Sequence, residues 1–193
     1  MDKSILILAV PRTGSTSLLN SFHKNFELFD EPVNLFMRKD FSTKQFFELI
    51  KKKNIVVKTM TDHKPFDFQE DSLTFNLKII PYFDYVILLD RKDCNEQENS
   101  YQRIIDSALT HKEVEFKRKS NLIRFMYYQK YLLREISEKS DLKIYYYEDI
   151  YYNNPKIIFE ELNINLDYID FNLLDLVNKY NKNIHFIGPK KTI

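Results

Sequence analysis

Residues 11 to 17 read Pro-Arg-Thr-Gly-Ser-Thr-Ser. They place a cation, a glycine and hydroxyl side chains directly after an unbroken apolar run, ILILAV. Anion binding is the chemistry such a stretch can do. Gly14 is one of 2 glycines in the chain. It permits a positive φ and lets a ligand approach the main chain closely. A helix opening near Ser15 or Thr16 leaves unpaired N–H groups that point at an anion. Arg12 adds a fixed charge with a bidentate fork. Ser15, Thr16 and Ser17 add hydroxyl donors. The plain alternative is a strand-to-helix turn with a serine cap. The stretch is not a Walker A loop, whose pattern G-x-x-x-x-G-K-[ST] needs an earlier glycine and a lysine that are missing here.

A second basic pair, Arg91-Lys92, follows another apolar run, and Ser100 stands about two helical turns on. The pair can hold an anionic group. Equally, it reads as a solvated helix start, with Asp93 a favourable acid in the first turn.

Both stretches need elements that hold them in place. Four runs read as strands: residues 4–10, 54–60, 85–90 and 142–147. Their near-continuous apolarity predicts strands covered on both faces, as in a parallel sheet. Helical patterns lie between them. One opens at Ser15 or Thr16 and reaches Lys24, with Leu18, Leu19 and Phe22 inward. Others cover 43–52, 93–108, 117–139, 153–163 and 170–181. The longest carries Leu122, Met126, Gln129, Leu133 and Ile136 at helical spacing. The alternation predicts an α/β fold: a single doubly wound domain over 1–193. It has a central, mostly parallel sheet of four to five strands flanked by helices, in the manner of P-loop nucleotide-binding proteins. Ligands of such sheets bind at the carboxyl ends of the strands.

Composition bounds the function. A chain of 193 residues suits one domain with a real core, and 44% apolar residues argue against disorder. A formal net charge of +1 argues against a nucleic-acid partner. The single cysteine, Cys94, excludes an internal disulfide and a cysteine-built zinc site. No run has the form of a signal peptide or a membrane span. The expectation is a soluble, cytoplasmic protein with no membrane or nucleic-acid partner.

Together the two basic stretches resemble the sulfotransferases that use 3′-phosphoadenosine-5′-phosphosulfate (PAPS). In that family a loop of the form P-[KR]-[ST]-G-[ST]-[TS] cradles the 5′-phosphosulfate. The matching residues here are Pro11-Arg12-Thr13-Gly14-Ser15-Thr16. Later in the family's chain an Arg, and a Ser eight or nine residues after it, hold the 3′-phosphate. Ser100 fits that spacing from either Arg91 or Lys92. Arg91 suits a phosphate better through its guanidinium. A third segment agrees. Residues 145–162, YYYEDIYYNNPKIIFEEL, look like the family's Y-E-D-(I/L)-x-x-x-P stretch, whose Tyr lies near the adenine; Tyr147 is the matching position. The C-terminal FIGPKKTI matches more loosely. Gly188, Lys190 and Lys191 suggest the family's late basic segment, in a different order, or else a basic tail.

The resemblance implies in-line sulfuryl transfer from PAPS to a hydroxyl or amine of a small-molecule, glycan or peptide acceptor. Adenosine 3′,5′-bisphosphate leaves, and no metal is needed. Arg12 matches the family's catalytic Lys or Arg at the bridging oxygen. The base is open. Cytosolic members use a His in a K-T-H stretch, but this chain reads Lys58-Thr59-Met60, with His63 three residues on. Other members use a Glu soon after the first helix, and Glu31 stands there. Glu31 is preferred and His63 is the runner-up. As plain alternatives, Glu31 is a surface turn acid and His63 a solvated loop histidine. Lys58 faces the sulfate or an acceptor anion. Two other functions compete: a nucleotide-binding module of this fold without turnover, and a small-molecule or nucleotide kinase with an atypical phosphate loop. The sequence does not encode the oligomeric state.

Overall fold

The computed structural model describes residues 3–34, 41–108 and 115–174. Five strands form one sheet: β1 (Ser4–Ala9), β2 (Glu27–Asp30), β3 (Ile55–Met60), β4 (Tyr85–Asp90) and β5 (Ile144–Tyr146). Their order is β2-β3-β1-β4-β5, and every pairing is parallel. The helices are α1 (Ser15–Asn20), α2 (Thr43–Ile50), α3 (Ser72–Ile79), α4 (Cys94–Ala108), α5 (Glu115–Ser140) and α6 (Ile157–Glu161). This is the expected doubly wound α/β architecture.

β1 explains why the sheet is covered on both sides. Ile5 through Val10 are completely buried, and the side chains alternate between faces. Ile5, Ile7 and Ala9 pack with Leu18, Leu19 and Phe22 of the α1 region and with Ile158 and Phe159 of α6. Leu6, Leu8 and Val10 pack with Phe46 of α2, Phe75 of α3, and Met126, Leu133 and Ile136 of α5. Truncating a fully buried core Phe such as Phe22 to Ala typically costs about 3–5 kcal/mol.

Local signals set the helix starts. Ser42 and Gln45 form a capping box at α2: the Ser42 Oγ accepts from the Gln45 N–H, and the Gln45 side chain accepts from the Ser42 N–H. Asp71 caps α3 by accepting from the Thr74 N–H at 2.7 Å.

Four elements differ from the sequence expectation. The helix expected at 153–163 covers only Ile157–Glu161, behind a π-helical turn at Asp149–Asn153. β2 is an edge strand of only four residues with exposed ends, too short and too polar to stand out as an apolar run. α3 was not foreseen. α1 stops at Asn20 rather than reaching Lys24: Ser21 turns its hydroxyl back to the Leu18 carbonyl at 2.7 Å, and the chain continues in tight turns to Asn25. Phe22 still reaches the core from that turn. Of the expected helix at 170–181, residues 171–174 are helical and 175–181 lie outside the described residues, as do Gly188, Lys190 and Lys191.

β1 lies between β3 and β4, so the chain leaves β1 toward one edge and later crosses to the other. The carboxyl ends of the strands at that reversal form the cleft where such sheets bind ligands.

Candidate active site

A cleft of about 320 Å³ opens there. Each of the five strands delivers a residue to it: Pro11 and Arg12 follow β1, Glu31 follows β2, Lys58 and Met60 end β3, Arg91 follows β4, and Tyr147 follows β5. Gly14, Ser15, Thr16 and Ser17 of the first loop and Ser100 of α4 complete the lining.

The loop takes an anion-cradle form. Gly14 has φ 73, ψ 11 and provides no side-chain cap for α1, so the N–H groups of the first turn border the cleft unoccupied by a capping oxygen. Arg12 itself has φ 67, a left-handed conformation that costs a non-glycine residue energy and aims its side chain across the cleft. Its Nε donates to the Ser100 Oγ at 2.9 Å. Gln97 of α4 holds the loop from the same side, donating to the Pro11 carbonyl at 2.6 Å.

Arg91 is the second pole. Its guanidinium lies 4.6 Å from the centroid of the Tyr147 ring and pairs with Glu96 at 3.5 Å and Glu148 at 3.7 Å. Arg103 also approaches Glu96, at 3.9 Å. Burial, then repulsion from Arg103 and Arg91, lowers the Arg12 pKa from its ordinary value. Two guanidinium groups, Arg12 and Arg91, thus line the cleft, and the Arg103 charge acts on Arg12 from nearby, an arrangement that favours an incoming anion.

Lys58 and Glu31 form the third part. Lys58 Nζ donates to Thr16 Oγ1 at 3.0 Å, Asp30 Oδ1 at 2.7 Å and Glu31 Oε1 at 2.7 Å. The other Glu31 oxygen accepts from the Asn34 Nδ2 at 2.6 Å. Burial alone would raise the Glu31 pKa, but the Lys58 charge and the hydrogen bonds from Lys58 and Asn34 outweigh it and hold the carboxyl below its usual value.

Several expected site residues stand elsewhere. Thr13 is fully buried, and its hydroxyl donates to the Val10 carbonyl at 2.8 Å; it shapes the loop from inside. Lys92 does not line the cleft: its Nζ is drawn to Asp149 at 2.7 Å and lies over the Tyr146 ring. Arg91 is therefore the basic residue of that pair on the cleft. His63 is not in the cleft lining either. Burial lowers its pKa against the raising charges of Asp62 and Glu31, and its Nδ1 is buried without a hydrogen-bond partner.

The sequence reading missed two sets of residues. Tyr151 sits in a single π-helical turn, Asp149–Asn153, and its hydroxyl donates to the Gly14 carbonyl at 2.6 Å. Glu148 accepts from the N–H groups of Lys92 at 2.9 Å and Asp93 at 3.1 Å, fixing the loop after β4. The Asp30-Glu31 pair closing a short strand was the available hint of the Lys58 network.

Among the described residues, no three His, Cys, Asp or Glu side chains gather as a metal site, and no helix is long and apolar enough to cross a membrane. No model of a known protein family matches the chain, and no curated protein matches it.

Proposed function

We propose that the chain is a PAPS-dependent sulfotransferase that moves a sulfuryl group to a hydroxyl or amine by in-line displacement. One observation carries the reading. The three stretches that resemble that family lie far apart in sequence, yet Arg12 with the Gly14–Ser17 loop, Arg91 with Ser100, and Tyr147 all border one cleft. A donor with anionic groups at both the 5′- and the 3′-position of its ribose suits a cleft with two basic poles and a Tyr ring beside one of them.

The residues have defined tasks in this reading. PAPS supplies the sulfuryl group and its leaving phosphate. Charge spreads over equatorial oxygens and builds on the leaving group in such transfers. Arg12 and the first-turn N–H groups are preorganised donors for that charge. Arg91 and Ser100 bind the 3′-phosphate. Glu31 is the carboxylate on the cleft and, with its lowered pKa, is ionised at neutral pH, so it can take the acceptor's proton. The acceptor is a small molecule, a glycan or a peptide, and the protein works in the cytoplasm.

A second reading has its own support. Both Glu31 oxygens are engaged, and Met60 occupies the cleft wall where a base would help. These features suit a nucleotide-binding module without turnover. Competition between adenosine 3′,5′-bisphosphate and ATP tests the donor class: preference for the bisphosphate supports both readings, and preference for ATP overturns them in favour of a kinase. Incubation with PAPS and mixed acceptors separates the two. A product heavier by one SO₃ supports the enzyme, and its absence with intact nucleotide binding supports the module.

A further inference from the structure

The outer face of α5 is not an ordinary solvated helix face. Four of the eight large apolar or aromatic side chains exposed among the described residues lie in one short stretch of it: Phe125, Tyr127, Tyr128 and Tyr131, the last 55% exposed. Single exposed rings are common, but a contiguous patch marks a contact surface. Tyrosine and arginine are also the residues enriched where proteins meet. Tyr127 is held at the edge of the patch, its hydroxyl donating to Glu98 of α4 at 2.7 Å.

The order of side chains along this face says what fits it. Arg124, Tyr128, Tyr131, Glu135 and Glu138 follow one another at spacings of four, three, four and three, so they form one stripe on the helix. All are exposed except Glu135, which is half-buried. The stripe begins basic, is aromatic in the middle and ends acidic. Glu135 pairs with Lys139 at 3.6 Å, whereas Arg124 and Glu138 have no ion-pair partner among the described residues. A partner of one charge would attract one end of the stripe and repel the other. A partner with the reverse order satisfies both ends. A second copy of the same stripe, run antiparallel, has that order. The spacing reads the same in both directions from Tyr131. A two-fold axis beside that ring therefore sets Arg124 opposite Glu138, Tyr128 opposite Glu135 and Tyr131 opposite its own counterpart. Arg134, exposed beside the acidic half, then faces Tyr128 of the other copy, a cation–ring pair.

We propose that this face of α5 binds a second copy of the chain. The two helices form an antiparallel pair with the tyrosines at its centre and an Arg124–Glu138 pair at each end. The same patch serves on both protomers, as two-fold symmetry requires. One helix face makes a small interface, so the association is reversible and weak rather than obligate. None of the residues that line the cleft lies on this face, and dimer formation does not depend on what the cleft binds.

Sedimentation equilibrium of the full chain tests the pairing. Wild type is expected to show a monomer–dimer equilibrium that Tyr131→Ala weakens about tenfold or more. Arg124→Glu and Glu138→Arg each set like charges against one another at both ends, and each should weaken the dimer about tenfold or more. An equimolar mixture of those two variants should dimerise again, because each then meets the opposite charge at both ends. Within one chain the two positions lie about 21 Å apart along the helix axis, so no contact inside a protomer can produce that rescue. The rescue also shows that both variants are folded. A wild type that stays monomeric at about 200 µM overturns the inference. So does a dimer that Tyr131→Ala leaves unchanged, or a mixture that associates no better than its components.

Discussion

The Tyr151 hydroxyl donates to the Gly14 carbonyl at 2.6 Å, tying the turn after β5 to the loop after β1. The same ring occupies the space a side chain at Gly14 would need: an added Cβ would lie 2.5 Å from Cε2 and 2.8 Å from Cζ. Tyr151 in turn stacks on Tyr147, with centroids 4.7 Å apart, and Tyr147 supports Arg91. One aromatic column therefore runs from the first loop to the second basic pole. Burial pushes the Tyr151 pKa up, so its hydroxyl stays a donor at any pH the protein works at.

Gly14→Ala is expected to destabilise the fold by about 1–3 kcal/mol, from left-handed strain and the collision with Tyr151 together. Urea unfolding measures it. Adding Tyr151→Ala removes the collision but not the strain, so the double variant should cost less than the sum of the singles. Additive costs would show that the ring does not crowd position 14.

Arg12→Ala should lower transfer by about 10²-fold or more, as for loss of one preorganised donor at a developing charge. Ser100→Ala, which deletes a hydroxyl that accepts from Arg12 and, in the proposed function, donates to the 3′-phosphate, should weaken nucleotide affinity by about 1.5–3 kcal/mol. Calorimetric titration with adenosine 3′,5′-bisphosphate, run beside turnover, separates the two. Equal losses from both variants would contradict the division of tasks between these residues.

Glu31 carries a pH signature. Its folded pKa lies below the ordinary 4.5, so the folded state binds this proton less readily than the unfolded chain. The stability it contributes is complete above that ordinary value and is lost as pH falls through the lowered one. Melting curves of wild type and Glu31→Gln from neutral pH downward should show a steeper acid loss in wild type. Parallel curves would mean that Lys58 and Asn34 do not hold the carboxylate as described. In turnover, Glu31→Gln should spare nucleotide binding and abolish transfer; unchanged transfer would move the base role to His63.

Lys130 of α5 donates to Asp90 Oδ1 at 2.5 Å and to the Arg91 carbonyl at 2.9 Å, with both side chains buried. Lys130→Met leaves Asp90 without its counter-charge in the interior, at a cost of about 3–5 kcal/mol. Combining it with Asp90→Leu should recover much of that loss, because an apolar pair of similar volume replaces a desolvated ion pair. Chemical denaturation of the single and double variants reads both effects. A near-neutral Lys130→Met would mean that water reaches the pair.

The fold and the loop were legible because they are written locally. A run such as Ile5–Val10, six apolar residues ended by a proline, reads as a strand buried on both faces, and Gly14 between Arg12 and the hydroxyl residues marks its own turn. Four of the five strands follow from that logic. β2 does not, because Glu27-Leu28-Phe29-Asp30 gains its place by pairing with β3, not by its own apolarity. Side-chain partners were less legible for the same reason. Nothing near Thr13 in sequence says that its hydroxyl turns inward to Val10, and nothing near Lys92 says that Asp149 draws it off the cleft. Lys58 meets Thr16, Asp30 and Glu31 only because β1, β2 and β3 end side by side. Tyr151 reaches Gly14 only because β4 and β5 extend the sheet on the other side of β1. Tertiary convergence of this kind has no one-dimensional pattern.

The central position of β1 also has a consequence during synthesis. It precedes both of its partners in the chain, which begin at Ile55 and Tyr85. Until they arrive, Ser4–Ala9 is a short, uncharged, strand-forming segment with two open edges, the composition that seeds intermolecular pairing. The segment that anchors the finished sheet is thus an aggregation hazard in the incomplete chain, and a chaperone that binds apolar extended peptides would find a site there.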